Sequence, residues 1–125
     1  MRLVTLEYHD LIVGADADAS GFPGAAAGSN KLDENEFVRH LETLAVRGNV
    51  GRVIHDALRA EDPGRVAPVL LTFDDGGTSA LRIADHLERC GWRGHFFIPT
   101  VCLGQTASLT GEHLRKPQPR RYVLR

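Results

Sequence analysis

The alternation of apolar and polar positions divides the chain into strands that are each followed by a helix. Residues 2–8, RLVTLEY, alternate in the way expected of a strand. Residues 69–73, VLLTF, are a continuous apolar run, which is typical of a strand covered on both faces in a parallel sheet. Residues 95–100, HFFIPT, predict a further strand.

Apolar residues at helical spacing predict the helices between these strands. Asp33 is followed three residues later by Glu36, as in a capping box, and predicts a helix that ends at Gly48. Its expected buried stripe is Phe37, Leu41, Leu44 and Ala45. A shorter helix is predicted over residues 50–60, before the turn signal EDPG at 61–64.

A third helix is predicted after the apolar run at 69–73. Thr78 or Ser79 can cap it, and Gly91 can end it. Strands that alternate with helices indicate right-handed βαβ units, so the predicted class is α/β with parallel strands and flanking helices. Residues 14–30 are small and polar without a period and predict a long loop, a type of segment that is often functional.

Composition limits where a function can reside. The 125 residues are 42% hydrophobic, which suffices for one globular domain. Fifteen Lys and Arg oppose 16 Asp and Glu, and the resulting charge of -1 argues against binding nucleic acid or anionic membrane by bulk electrostatics. No stretch has the ~18 apolar residues of a membrane span or the apolar region of a signal peptide. We therefore expect a soluble chain, cytoplasmic by default, whose function lies in a local site.

Asp74 and Asp75 follow the buried run directly and are the main candidate for such a site. Parallel strands gather functional groups at their C-terminal ends. Successive side chains of a strand point to opposite sides, so one carboxylate could hold a metal while the other accepts a proton from water. We expect Gly76 and Gly77 to make room for substrate. The simpler alternative is that one Asp only caps the following helix.

His9 and Asp10 lie at the C-terminal end of the first strand, and His9 is a possible site-lining residue beside Asp74 and Asp75. The alternative for His9 is a strand-end histidine that bonds to the backbone. The remaining histidines are expected on the solvated surface; they are His40, His55, His86, His95 and His113.

Two other motifs deserve comparison with this region. Residues 16–21, DADASG, match the beginning of a calcium loop, but Ala27 stands where a calcium loop has Glu. Residues 73–78, FDDGGT, are similar to the D-x-D-G-T motif of haloacid dehalogenase-type phosphatases, with Gly76 in place of the second acid. Each match lacks an essential ligand or acid.

The segment LLTFDDG, together with YHD before it and GWRGHFFIPT after it, resembles the polysaccharide deacetylase superfamily with NodB homology. The resemblance runs from about residue 2 to about residue 115, and Thr72 to Gly76 are its most specific part. It implies a distorted (β/α)7 barrel and removal of N-acetyl groups from amino-sugar polymers with a divalent metal, commonly zinc. It also implies that Asp74 is the catalytic base and Asp75 a metal ligand.

The sequence departs from the family after residue 115. The family completes its metal site with two histidines one helical turn apart, and this chain contains no H-x-x-x-H. Residues 116–125 read as an irregular basic tail after a partial deacetylase-like domain at 1–115. A complete barrel needs roughly 200 residues or more, so we expect a C-terminally truncated chain with weak zinc binding. The alternative function is a non-catalytic or partner-dependent scaffold, which could self-associate through an exposed sheet edge.

Overall fold

The computed structural model describes residues 3–59, 66–115 and 122–124 of the chain. Its strands are, in chain order, β1 (Val4–Tyr8), β2 (Leu11–Ile12), β3 (Leu32–Asp33), β4 (Gly51–Arg52), β5 (Val69–Phe73), β6 (Gly94–Phe96) and β7 (Tyr122–Leu124). Its α-helices are α1 (Ala25–Gly28), α2 (Glu34–Val46), α3 (Ile54–Arg59), α4 (Ala80–Arg89) and α5 (Gly111–Arg115). Two 3-10 turns lie at Ala17–Ala19 and Thr100–Cys102.

The main sheet is parallel and has the order β1-β5-β6-β7. β4 pairs with the N-terminal end of β5, and β6 pairs with its C-terminal end. β2 and β3 form a separate two-stranded parallel sheet. The predicted α/β class with parallel strands and flanking helices is confirmed.

The pairing register aligns the C-terminal ends of β1, β5 and β6. Tyr8 pairs with Phe73 across β1 and β5, and Phe73 pairs with Phe96 across β5 and β6. The three rings stack in the same order, with centroids 5.6 Å and 4.8 Å apart. Phe37 of α2 packs edge-on against Phe73 at 5.9 Å and is fully buried. This aromatic layer fixes the helix against the strand ends, since aromatic pairs add specific geometry to the burial of apolar area.

The predicted elements hold with local corrections. Asp33 caps α2 through its side chain, which accepts hydrogen bonds from the amides of Asn35 and Glu36. Phe37 and Leu41 are buried on the predicted stripe, whereas Ala45 is exposed. The β5 boundaries agree with the predicted run at 69–73.

Two predicted boundaries were wrong because strand pairing decides them. The helix predicted over 50–60 begins at Ile54, since Gly51 and Arg52 pair with β5 instead. The strand predicted over 95–100 ends at Phe96, and a 3-10 turn begins at Thr100. The turn signal at 61–64 lies outside the described residues.

β7 lies within the segment for which the sequence predicts an irregular tail, and its backbone pairs in parallel with β6. Residues 116–121 and 125 of that segment are outside the described part of the chain. Within the described ranges, no helix combines the length and the apolar character that crossing a bilayer requires.

Candidate active site at the ends of β1 and β5

The direct pairing of β1 with β5 brings the residues after each strand together. The amide of Asp74 donates to the carbonyl of Tyr8 over 3.0 Å, which extends the ladder by one residue. His9 Nδ1 then lies 3.3 Å from Asp75 Oδ2. Asp74 and Asp75 also line an open pocket of about 310 Å³ whose other wall is Phe97, Ile98 and Pro99. The structure thus brings His9 into contact with Asp75, beside the pocket that Asp74 and Asp75 line.

The backbone turns sharply where the two carboxylates leave the sheet. Asp75 has a φ of 73° and Gly76 a φ of 62°, so two consecutive residues adopt the left-handed conformation. This conformation is uncommon for residues other than Gly, although Asp tolerates it better than most. Strained backbone of this kind concentrates at functional sites. α4 begins at Ala80 with Ser79 at its N-cap position, so neither Asp74 nor Asp75 caps the helix.

The electrostatic surroundings of Asp74 favour a proton acceptor. Burial raises the pKa of the Asp74 carboxyl, and the charges of Glu7 and Asp75 raise it further, while His9 lowers it. A carboxylate whose pKa is raised is a stronger base when ionised. The base role expected for Asp74 stays a prediction.

Glu7 belongs to the site and was not among the predicted residues. Its Oε1 lies 3.7 Å from His9 Nε2, so His9 stands between Glu7 and Asp75. Glu7 is mostly exposed, with 62% of its side chain accessible. The signal was the strand period, because Glu7 and His9 are two residues apart and side chains at that spacing share a face.

Asp10 is the most deeply buried acid near the site, with 2% of its surface exposed. Its Oδ1 accepts hydrogen bonds from the hydroxyls of Ser20, over 2.9 Å, and Ser79, over 2.6 Å. Burial raises the pKa of this carboxyl, the two serine hydroxyls lower it, the charge of Asp75 raises it and that of Lys31 lowers it. The sequence placed Asp10 at the strand end without indicating that it would be buried.

The contacts of Asp10 change the expected roles of Ser79 and Gly77. Ser79 makes no side-chain hydrogen bond that caps α4, and its hydroxyl binds Asp10 instead. A Cβ at Gly77 would lie 2.4 Å from both carboxylate oxygens of Asp10. The absent side chain of Gly77 therefore makes room for Asp10, and the expectation that it makes room for substrate is replaced by this packing role.

The segment 14–30, predicted as a loop without regular structure, contains a 3-10 turn and α1 and is held by a buried lysine. Lys31 Nζ donates to the carbonyls of Ala17, Ser20 and Phe22 over 2.5, 2.5 and 2.7 Å. An ammonium group has three donors, so these bonds use all of them. These bonds hold residues 17–22 of the loop beside Lys31, at the start of β3.

The calcium alternative for this loop has no support from the geometry. Asp16 and Asp18 each accept a hydrogen bond from a backbone amide, of Asp18 and Gly24 respectively. Both carboxylates stabilise turns within the loop.

The expectation that five histidines are solvated was wrong for two of them. His95 is 7% exposed, and its Nε2 accepts a hydrogen bond from the amide of Ile54. His86 lies 2.8 Å from Glu34, with 16% of each side chain exposed. Pairing of β6 with β5 and packing of α4 on α2 cover these rings, which local sequence spacing cannot indicate.

The candidate site does not supply a complete set of metal ligands among the described residues. A catalytic zinc typically takes three side-chain ligands and a water. Among residues 3–59 and 66–115, no three His, Cys, Asp or Glu side chains are grouped so as to hold a metal ion. His9 and Asp75 are the nearest approach to such a set, so the described residues do not fit a complete zinc site.

Comparison with known proteins identifies the fold. No protein-family model matches the sequence, and a search of curated proteins finds no match either. Among solved structures, a polysaccharide deacetylase from Bacillus cereus superposes with a TM-score of 0.73 at 13% identity over 100% of this chain. The deacetylase PplD of Streptococcus pyogenes, solved with acetate, also gives 0.73, at 17% identity over 100% of this chain.

The chain therefore has the fold of part of a polysaccharide deacetylase, as its sequence motifs indicated. It spans 38% of the length of the Bacillus cereus structure and 55% of the Streptococcus pyogenes structure. At 13% and 17% identity these likenesses show the fold alone.

Proposed function

We propose that this chain carries the proton-accepting part of a deacetylase site that removes N-acetyl groups from amino-sugar polymers or related acylated sugars. The observation that carries the proposal is the cluster of His9, Asp74 and Asp75 at the ends of two paired parallel strands. This cluster stands in a fold shared with polysaccharide deacetylases. Its two carboxylates, Asp74 and Asp75, belong to the most specific part of the sequence resemblance, Thr72 to Gly76.

In the proposed reaction Asp74 is the catalytic base. It takes a proton from a water molecule as the water oxygen attacks the carbonyl carbon of the acetamide. The bond between that carbon and nitrogen then breaks, the nitrogen gains a proton, and the products are acetate and a free amine. Burial and the neighbouring charges of Glu7 and Asp75 support this role, since they raise the pKa of Asp74.

Asp75 and His9 are the proposed contacts for a divalent metal, with zinc as the expected ion. A metal would supply polarisation of the carbonyl oxygen and an acidified water. The described residues contribute two possible ligands, and we derive no catalytic step through the ion. Further ligands would have to come from outside these residues.

The chemistry of one structural neighbour agrees with the proposed products. The Streptococcus pyogenes deacetylase was solved in complex with acetate, the small product that deacetylation of an N-acetyl group releases. The open pocket beside Asp74, of about 310 Å³, is large enough for an acetamide group. It is accessible from solvent, as a polymeric substrate requires.

The experiment is an acetate-release assay on acetylated chito-oligosaccharides, with and without added zinc. Activity should fall by about 10²-fold or more in Asp74→Asn and stay unchanged in Asp85→Asn, an exposed acid of α4. An active chain that keeps its activity in Asp74→Asn would refute the base assignment.

A non-catalytic or partner-dependent scaffold is the second candidate function. The observation that favours it is the absence of any three-ligand metal group in the described residues. In that case the chain would release no acetate and calorimetry with zinc would give no heat. Micromolar zinc binding with release of protons would instead support the deacetylase proposal.

A further inference from the structure

A closed hydrogen-bond network connects three segments of the chain through Asp10. The Ser20 hydroxyl accepts from the amide of Ser79 over 2.7 Å and donates to Asp10 Oδ1. The Ser79 hydroxyl accepts from the amide of Leu11 over 2.9 Å and donates to the same oxygen. The end of β1, the 14–30 loop and the start of α4 therefore meet at one carboxylate oxygen.

The direction of each bond follows from the number of protons available. A serine hydroxyl has one proton, and each hydroxyl already receives an amide proton. Both hydroxyl protons must therefore go to Asp10 Oδ1, which accepts twice. Without this oxygen, two buried hydroxyls would lose their acceptor, and buried polar groups without partners are costly.

The fit around Asp10 is close on the side of its second oxygen. Asp10 Oδ2 is buried, and within the described residues it has no hydrogen-bond partner. A Cβ at Gly21 would lie 1.7 Å from this oxygen, and a Cβ at Gly77 would lie 2.4 Å from it. Two residues without side chains therefore allow the backbone of the loop and of the turn to close on the carboxylate.

The hydrogen-bond ladder between β1 and β5 ends before it reaches His9 and Asp75. The last ladder bond joins the amide of Asp74 to Tyr8, whereas His9 and Asp75 come one residue later on each side. Asp10 follows His9 directly, and Ser79 lies four residues after Asp75 along the turn into α4. The hydrogen bond between Asp10 and Ser79 therefore joins the two segments a second time, beyond His9 and Asp75.

We propose that Asp10 is a positioning residue that holds His9 against Asp75 by linking the end of β1 to the start of α4 through Ser20 and Ser79. Asp10 itself is buried behind the site and is not a catalytic residue. Lys31 supports the same arrangement, since it binds the carbonyl of Ser20. The inference rests on the proposed function only in that His9 and Asp75 are the proposed site residues.

The test uses NMR on the chain itself and needs no activity. In the wild type we expect slow hydrogen exchange at the amides of Leu11 and Ser79 and a nuclear Overhauser contact between the His9 ring and the Asp75 β-protons. In Asp10→Ala these two amides should exchange at least about tenfold faster than amides of β5, and the contact should disappear. Asp10→Asn retains an acceptor oxygen at Oδ1 and should restore both signals.

The matched control is Asp85→Ala, which removes an exposed carboxylate from α4 and should change neither signal. A merely structural role would predict that Asp10→Ala speeds exchange equally in β5 and leaves the His9–Asp75 contact intact in the folded molecules. That result would overturn the proposal. If Asp10→Ala does not fold, Ser20→Ala and Ser79→Ala decide, and retention of the contact in both would overturn it as well.

A failure of this inference can be distinguished from a failure of the proposed function. A chain that releases no acetate but shows the expected NMR changes would support the positioning role alone. A chain whose Asp74→Asn variant loses activity while Asp10→Ala retains the His9–Asp75 contact would support the proposed function alone.

Discussion

His9 Nδ1 and Asp75 Oδ2 lie 3.3 Å apart although 66 positions separate the two residues in the chain. The contact exists because β1 and β5 are direct neighbours in the sheet and Tyr8 is in register with Phe73. Each strand then delivers its next residues to the same edge. Two carboxylates and an imidazole are thereby brought together by backbone pairing.

Removal of the Asp75 carboxylate should weaken zinc binding. With two side-chain ligands in reach, the chain should bind zinc more weakly than a complete three-ligand site, and Asp75→Ala should reduce the affinity about tenfold or more. Isothermal titration calorimetry measures this directly. Asp85→Ala is the control, and an affinity unchanged in Asp75→Ala would rule out Asp75 as a ligand.

Replacement of Glu7 should lower the pKa of Asp74. The Glu7 charge is one of the causes that raise this pKa, after burial, so Glu7→Gln removes an unfavourable interaction with ionised Asp74. A base acts in its ionised form, so the acid limb of any pH–rate profile should also move to lower pH. Carbon-13 NMR titration of the Asp74 carboxyl checks the direction. Glu112→Gln, an exposed acid of α5, should leave the titration unchanged.

The ion pair between α2 and α4 should make stability depend on pH. Glu34 accepts two hydrogen bonds from Arg82 and lies 2.8 Å from His86. Burial raises the pKa of Glu34, but the bonds from His86 and Arg82 outweigh it, so this pKa lies below its usual range. Stabilisation by Glu34 is therefore present above the unfolded-state pKa and is lost as the pH falls through the folded-state pKa.

Urea denaturation of Glu34→Gln tests that dependence. The variant should lose about 1 kcal/mol at pH 7, because Arg82 is partly solvated, and the difference from wild type should shrink in acid. Glu112→Gln serves again as the control. An equal loss at neutral and acid pH would contradict the electrostatic explanation.

A side chain at Gly77 should destabilise the protein, because it would clash with the buried Asp10 next to the site. The Cβ of Gly77→Ala would lie 2.4 Å from both Asp10 oxygens and from the amide nitrogen of Gly21. We expect a loss of about 3 kcal/mol or failure to fold, since overpacking of a tight contact typically costs 1–3 kcal/mol and sometimes more. Thermal denaturation measures the effect.

Gly111→Ala is the matched control for that substitution. Its Cβ would meet only the flexible end of Arg115, at 3.7 Å, and Ala favours a helix more than Gly does. This variant should be as stable as wild type or more stable. A Gly77→Ala protein of wild-type stability would show that Asp10 can move away at little cost.

Local patterns predicted the parts of the fold that depend on short-range physics. The continuous apolar run predicted β5 at its observed boundaries, and Asp33 predicted the cap of α2. The motif at Thr72 to Gly76 indicated the deacetylase fold that the solved structures share. These signals are local because side-chain period and capping act over a few residues.

The errors came from contacts between distant segments. Gly51 lies in a segment with helical spacing but pairs with β5. His95 was expected on the surface but is buried, and its ring accepts a hydrogen bond from the amide of Ile54. Gly77 was expected to leave space for substrate, but Asp10 occupies the space that a side chain at Gly77 would take. The spacing of residues along the sequence does not indicate these contacts.

The sequence by itself determined the main strands and helices that alternate along the chain and the two acids at the end of a buried strand. Tertiary structure alone decided that Gly51 pairs with β5, that His95 is covered, and that Asp10 is buried between two serines and two glycines. The physical reason is that hydropathy and capping are properties of neighbouring residues. Pairing register and the burial of a charge, in contrast, depend on which segments the folded sheet brings side by side.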